Sequence, residues 1–266
     1  MSCEVRVLEL GFSYALWRNL LETLRELEKK TGHGVLFTKR LGDFILRGPE
    51  VCLHEPRPLK RILSLRNPEV LEKRAHFSMK SLAKLGYQAW VGLNLILLLE
   101  PNEFLRVDEN HRIVRCAKNL ALCRRGMLKE GLGLSPNFIF FSNLLNSWIG
   151  FGFEPSPSPE SLRPDTWLVK GEKPEDLRFL VNIRDLGKHV LIDAKEEEGW
   201  HLRRRKGKTE IEILEDYVKE YEPKALYVVC YKKEEGLTIH SPKIKIIDSG
   251  FNREKLKPIV EELKNM

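Results

Sequence analysis

The chain has 266 residues, of which 42% are hydrophobic and 31% are charged. This composition is typical of a soluble globular protein with one large domain or two small ones. No apolar run approaches the roughly 18 residues that a membrane helix needs, and the N-terminus lacks the form of a signal peptide. We therefore expect a cytoplasmic protein with no membrane partner. The net charge of +7 favours a polyanionic partner.

Several common kinds of site are excluded by the motifs. The five cysteines are scattered without a Cys-x-x-Cys pair, which predicts reduced thiols rather than a zinc site. The histidines show no metal-binding spacing, and neither a Gly-x-Ser-x-Gly motif nor a Rossmann glycine pattern occurs. Gly207-Lys208-Thr209 has the form of a P-loop ending, but leucine stands where the first glycine belongs. A single glutamine beside abundant lysine and glutamate indicates a thermophilic source.

The first 105 residues predict an α+β module. Alternating apolar residues predict a strand at Val5–Leu10, and a leucine stripe predicts a helix over Ser13–Thr31. Three short strands would follow, at Val35–Thr38, Phe44–Arg47 and Val51–His54. A helix over Pro68–Leu85, ended by Gly86, and a buried strand at Leu93–Leu99 complete the module. The lysines and arginines between residues 57 and 84, including Lys80 and Lys84, suit either DNA contact or a solvated surface.

In the middle of the chain, the sequence pattern leaves some secondary-structure assignments open. Arg112–Lys129 predicts a basic helix with one apolar face. The apolar stretch Asn137–Phe153 fits either a core helix or a pair of strands. The proline-rich segment 155–159 is a linker or a loop. Farther on, Thr209–Tyr221 predicts a helix that begins with a capping box, and Ala225–Tyr231 predicts a buried strand. A hairpin through residues 235 and 236, a strand at Lys243–Ile247 and a helix at Arg253–Lys264 would end the chain.

The most informative stretch is the apolar run His189–Lys195, which predicts a buried strand. Side chains alternate along a strand, so Asp193 and Lys195 emerge on one face while Ile192 and Ala194 point to the other. Upstream, Asp165 follows a proline at the start of another apolar run. Two carboxylates on neighbouring strands can hold Mg²⁺, which needs only one or two of them. A lysine beside that ion can orient water or offset charge in a phosphoryl transition state.

Pro164-Asp165, followed by Asp193-x-Lys195 at the end of a hydrophobic strand, resembles the PD-(D/E)xK nuclease superfamily. The resemblance covers about Pro164 to Tyr231. It implies a restriction-endonuclease-like core of α+β or α/β class, with a mixed central sheet flanked by helices, over residues 106–266. Residues 1–105 would then serve DNA recognition or dimerisation.

The resemblance also implies roles for particular residues. Asp165 and Asp193 would bind Mg²⁺ or Mn²⁺, and Lys195 would orient water or neutralise charge. Phosphate contacts would come from the basic cluster next to this site: Arg203, Arg204, Arg205, Lys206 and Lys208. Trp200 and His201 would approach a nucleotide, or Trp200 would pack under a loop. Guesses for a further acidic ligand are Glu130, Glu154 and, as a minor candidate, Glu196.

The resulting prediction is a metal-dependent DNA endonuclease, either restriction-type or structure-specific. Cleavage of both strands would imply a homodimer, because two-fold symmetry relates the two strands. The alternatives are a non-catalytic nucleic-acid-binding protein with a nuclease-like fold and a subunit that binds no nucleic acid. In a purely structural interpretation, Asp193 and Lys195 form a salt bridge and Asp165 is a turn residue.

Overall fold

The computed structural model describes residues 3–49, 68–122, 128–129, 133–154, 164–180, 187–205, 207–232 and 234–266. It is a mixed α+β protein built on an eight-stranded mixed sheet. The helices are α1 (Cys3–Thr31), α2 (Lys39–Arg47), α3 (Pro68–Leu98), α4 (Glu210–Tyr221) and α5 (Lys257–Lys264). Short 3₁₀ helices occupy Pro174–Leu177, Trp200–Leu202 and Arg253–Leu256.

The strands of the large sheet are β2 (Pro101–Val107), β3 (Ile113–Arg115), β7 (Phe138–Ser142), β8 (Ser147–Phe153), β9 (Thr166–Gly171), β10 (His189–Lys195), β13 (Ala225–Cys230) and β14 (Ile244–Asp248). Their order is β14-β13-β10-β9-β8-β7-β2-β3. The strands β10, β13 and β14 run parallel, and the remaining neighbours pair antiparallel. The short pairs are β1 (Gly34–Leu36) with β4 (Asn119–Ala121), β5 (Leu128–Lys129) with β6 (Gly133–Leu134), and β11 (Arg204–Arg205) with β12 (Lys208–Thr209).

Each face of the sheet packs against helices. Val190, Ile192 and Ala194 of β10 belong to an apolar cluster with α1, α2, α3 and α5. Leu191, from the other face of the same strand, packs in a second cluster with α4. The strand is buried throughout because both of its faces are covered, as in sheets whose parallel strands are joined by helices.

The N-terminal half corrects several sequence predictions. The strand expected at Val5–Leu10 is wrong, because the helix α1 continues through Gly11 to Cys3. One glycine costs a helix about 1 kcal/mol, which tertiary packing readily offsets. The strand expected at Phe44–Arg47 is also wrong. Leu41, Phe44 and Ile45 are spaced to bury one face of the helix α2 instead.

The predicted strand at Leu93–Leu99 is wrong as well, because α3 runs on to Leu98. Gly86 does not end the helix. A Cβ atom there would lie 2.9 Å from Leu16 Cδ2, so glycine allows α1 and α3 to pack closely. Beyond Gly86 the helix is buried on all sides, and a helix of that kind shows no amphipathic period in its sequence.

In the middle of the chain, the structure decides between two alternatives and contradicts one prediction. Residues 138–153 form the hairpin of β7 and β8, so the pair of strands is the correct alternative. The basic helix expected at Arg112–Lys129 is wrong in its described part, which contains β3, β4 and β5. The strand expected at Val51–His54 and the segment 155–159 lie outside the described residues.

The C-terminal predictions hold except for one connection. The strands β10 and β13 and the helix α4 are confirmed, and Thr209 and Glu212 form the expected capping box. The expected hairpin through residues 235 and 236 is wrong, because β14 pairs with β13 in parallel. The last predicted helix begins as the 3₁₀ turn Arg253–Leu256 and continues as α5.

The predicted boundary after residue 105 falls inside β2, and α3 contacts β10 across it. Division of the chain into two units therefore stays a prediction. Among the described helices, none combines the length and the apolar character needed to cross a membrane.

Candidate functional site

The end of β10 carries a buried ionic cluster. Lys195 Nζ lies 2.6 Å from Asp193 Oδ2, which confirms that the two side chains share a face. The same ammonium group lies 2.8 Å from Glu210 Oε2, in the first turn of α4. The side chains of Lys195, Asp193 and Glu210 are only 8%, 4% and 15% exposed. Lys195 is therefore held by two carboxylates in a nearly dry environment.

Asp165 lies beside this cluster, immediately before β9. Its Oδ2 atom accepts a hydrogen bond of 2.8 Å from the backbone N–H of Ala194. Its Oδ1 atom accepts a hydrogen bond from the Gln88 side-chain amide. Asp165 is 6% exposed. The fold thus brings together Asp165, Asp193 and Lys195, the three residues that the sequence singled out.

The pKa values show how strongly these groups interact. Burial and, to a lesser degree, the charge of Asp193 raise the pKa of Asp165 to about 8, against the opposing effects of Lys84 and Lys195. Burial disfavours the charged form of Lys195, but Asp193 and Glu210 outweigh that cost, so its pKa lies above the usual value. A cation beside Asp165 and Asp193 would favour ionised Asp165.

Two residues of α3 complete the cluster and were not predicted as part of the site. Gln88 holds Asp165, and Lys84, one helical turn earlier, acts electrostatically on Asp165 and Glu196. Glu210 was also missed. The spacing of four residues between Lys84 and Gln88 places both on one helix face. Only this spacing was visible in the sequence, which does not show that the face meets β10.

The segment after β10 is held in place by salt bridges and by the burial of Trp200. Glu197 forms salt bridges with Lys80 of α3 and with Arg203. Trp200 is fully buried, and Lys195 Nζ lies 5.4 Å from the centre of its ring. The suggestion that Trp200 approaches a nucleotide is therefore wrong, and its packing under the loop is confirmed. The His201 ring lies 3.2 Å from the Glu234 carboxylate.

The predicted phosphate contacts differ in their surroundings. Arg203 pairs with Glu197, and Lys208 Nζ lies 2.7 Å from Asp216 Oδ2. Arg204 is exposed. The side chain of Arg205 and all of Lys206 lie outside the described part of the chain. Of the described members, two are thus already paired with carboxylates.

The candidate site offers a metal ion few protein ligands. Within the described ranges, no group of three or more His, Cys, Asp or Glu residues is arranged to hold a metal ion. Asp165 and Asp193 together supply the one or two carboxylates that Mg²⁺ requires, with water and phosphate oxygens filling its other positions. Glu130 lies outside the described residues, and Glu154 meets Asp165 through a backbone hydrogen bond of 2.8 Å. Burial raises the pKa of Glu196.

The raised pKa of Asp165 predicts a pH-dependent stability. Its pKa is higher in the folded protein than the unfolded value of 3.8, so the folded state retains a proton that the unfolded state releases. This contribution is complete below about pH 4 and is lost as the pH rises through about 8. In EDTA, the free energy of unfolding should fall over this range by up to about 1.4 kcal/mol per pH unit.

Asp165→Asn should flatten that slope, whereas Asp216→Asn, at a carboxylate outside the site, should leave it unchanged. Urea unfolding at about pH 5 and about pH 8 measures both effects. Equal slopes in the unmodified protein and in Asp165→Asn would show that Asp165 is ionised throughout.

Comparisons with known proteins identify no relative. No protein-family model, curated protein or solved structure matches the chain. The resemblance to the PD-(D/E)xK superfamily therefore stays a prediction from the sequence motif.

Proposed function

We propose that the protein is a metal-dependent endodeoxyribonuclease of the restriction-endonuclease-like fold. The observation that carries the proposal is the meeting of Asp165, Asp193 and Lys195 at the ends of the adjacent strands β9 and β10. Asp165 is remote in the sequence from Asp193 and Lys195, which are two residues apart, yet the three side chains form one cluster. A chance resemblance would not require Asp165 to bond the backbone of Ala194, between the two motif residues.

The order of the elements also supports the proposal. The strand β9 pairs antiparallel with β10, the helix α4 follows, and β13 returns parallel to β10. This is the order that the resemblance implies: a strand, the strand with the motif, a helix and another strand. It places the ends of β10 and β13 at one edge, where ligands of parallel sheets commonly bind.

Each residue has a distinct role in the proposed reaction. Asp165 and Asp193 would hold Mg²⁺ or Mn²⁺, which supplies charge stabilisation and a more acidic water molecule. Lys195 would orient the attacking water or offset the negative charge that develops at phosphorus. Glu210 and Asp193 would keep Lys195 charged and fixed. The water oxygen bonds to phosphorus, one P–O ester bond breaks, and the departing oxygen takes up a proton.

The substrate class follows from the charge and the size of the chain. A net charge of +7 favours a polyanionic substrate. The chain also has enough residues outside the site to recognise a DNA sequence or a DNA junction. A restriction-type enzyme is the first subclass, and a structure-specific nuclease is the second. Cleavage of both strands would require a homodimer with two-fold symmetry.

The decisive experiment is a cleavage assay on plasmid, linear and branched DNA with Mg²⁺, Mn²⁺ or EDTA. The unmodified protein should cut DNA only with a metal ion, and Asp193→Asn should lower the rate by about 10²–10³-fold. Glu26→Gln is the matched control, because it removes a carboxylate from the separate Glu26–Arg253 ion pair. Cleavage that persists in Asp193→Asn, or that needs no metal, would exclude this site.

The second candidate is a non-catalytic nucleic-acid-binding protein. It is favoured by the two carboxylates that already pair with Lys195. In that case DNA binding would be salt-dependent, no cleavage would occur with any metal ion, and Asp193→Asn would leave the affinity unchanged.

A further inference from the structure

The face of α3 that meets the candidate site carries two lysines. Lys80, Lys84 and Gln88 follow one another at intervals of four residues, so they lie along one side of the helix. Gln88 donates a hydrogen bond to Asp165, and Lys80 forms a salt bridge with Glu197. Lys84 lies between them and acts electrostatically on Asp165 and Glu196. This face is therefore directed at the ends of β9 and β10.

Lys84 differs from Lys80, Arg203 and Lys195 in having no carboxylate at salt-bridge distance among the described residues. Its side chain is partly exposed, whereas Lys195 is buried between Asp193 and Glu210. Lys208, in the basic cluster that the sequence favoured, is paired with Asp216 of α4. Lys84 thus offers an accessible positive charge close to the candidate site.

Glu197 occupies the space between two further cations. Its carboxylate forms salt bridges with Lys80 on α3 and with Arg203 after the turn Trp200–Leu202. A single anionic group therefore bridges the helix and the loop. The side chains of Lys80 and Arg203 are 45% and 38% exposed, so both are partly accessible to solvent. A phosphate group would have the same charge and oxygen acceptors as Glu197.

We infer that Lys80, Lys84 and Arg203 form the surface that binds the DNA phosphate backbone, and that Glu197 competes with a phosphate for Lys80 and Arg203. The inference rests on the proposed function, because the surface is defined by its closeness to Asp165 and Asp193. On this surface the DNA backbone would lie closer to α3 than to the hairpin of β11 and β12, where the sequence predicted phosphate contacts. Glu196, beside Lys84, opposes a phosphate there when it is ionised.

The test measures binding without cleavage. Fluorescence anisotropy of a labelled DNA duplex, in EDTA, gives the affinity between about 50 and 200 mM KCl. Lys84→Gln should weaken binding about three- to tenfold and reduce the slope of log affinity against log salt concentration by about 1. Lys84→Arg should retain both values. Glu197→Gln should strengthen binding, because it releases Lys80 and Arg203.

Two control variants locate the surface. Lys208→Gln removes a lysine of the hairpin, and Lys245→Gln removes a lysine that pairs with Glu262 of α5. Both should change the salt slope less than Lys84→Gln does. Unfolding curves of all variants in urea ensure that a lower affinity does not result from misfolding. Misfolding cannot explain a gain in affinity in Glu197→Gln.

The outcomes separate this inference from the nuclease proposal. If the unmodified protein cleaves DNA but Lys84→Gln binds with unchanged affinity and slope, the surface is wrong and the nuclease stands. If Lys84→Gln binds more weakly as expected but no metal ion supports cleavage, the surface stands and the nuclease is wrong. If the unmodified protein shows no salt-dependent binding to DNA, both are wrong.

Discussion

Replacing Lys195 with alanine is expected to lower the free energy of unfolding by about 3–5 kcal/mol. The lysine side chain is 8% exposed and lies between the carboxylates of Asp193 and Glu210. Its removal leaves two buried negative charges without their cation, close to the third carboxyl group of Asp165. An uncompensated buried charge costs far more than an exposed salt bridge contributes. Urea unfolding at neutral pH gives the difference.

The matched variant neutralises the whole cluster. Lys195→Met combined with Asp193→Asn and Glu210→Gln removes all three charges while keeping similar side-chain volumes. It should be more stable than Lys195→Ala, because no unpaired charge remains. Lys208→Ala, in a salt bridge whose lysine is 57% exposed, should cost much less than Lys195→Ala. A loss of similar size in Lys208→Ala and Lys195→Ala would mean that the cluster is solvated.

Trp90→Ala is expected to cost about 3–5 kcal/mol, as large-to-small changes at buried tryptophans do. Trp90 lies in the second half of α3 and is only 2% exposed. Its ring is stacked on Tyr87, with centroids 5.8 Å apart, and meets Phe251 edge-on at 5.4 Å. The cavity left by alanine would therefore open where α3 meets the C-terminal part of the chain.

Trp148→Ala is the control for this prediction, because Trp148 is a half-buried tryptophan on β8. It should cost less than half as much as Trp90→Ala, since part of its ring is already in contact with water. Thermal or urea unfolding of the two variants makes the comparison. Equal losses would show that α3 does not form the centre of the core.

The importance of α3 links stability to the candidate site. The same helix that buries Trp90 also presents Gln88 to Asp165 and Lys84 to the surface beside it. A change that shifts α3 would therefore move two groups of the site. Substitutions in the core of α3 are poor tests of catalysis for this reason, whereas Asp193→Asn and Lys84→Gln act within the site and on its surface.

The sequence by itself determined the elements whose signals are local. The strand β10 follows from its short β-branched run, and α4 follows from its capping box and apolar stripe. The shared face of Asp193 and Lys195 follows from the alternation of side chains along any strand. Each of these features depends only on neighbouring residues, so no knowledge of the rest of the chain was needed.

Only the tertiary structure decided what depends on distant contacts. The helical state of Leu93–Leu98 was hidden because burial on every side removes the amphipathic period from the sequence. The parallel pairing of β14 with β13 reflects sheet order, which a turn-like sequence between them does not specify. Glu210, Gln88 and Lys84 join the site through contacts between separate elements. Such contacts are set by how the helices pack on the sheet, and that packing leaves no local pattern in the sequence.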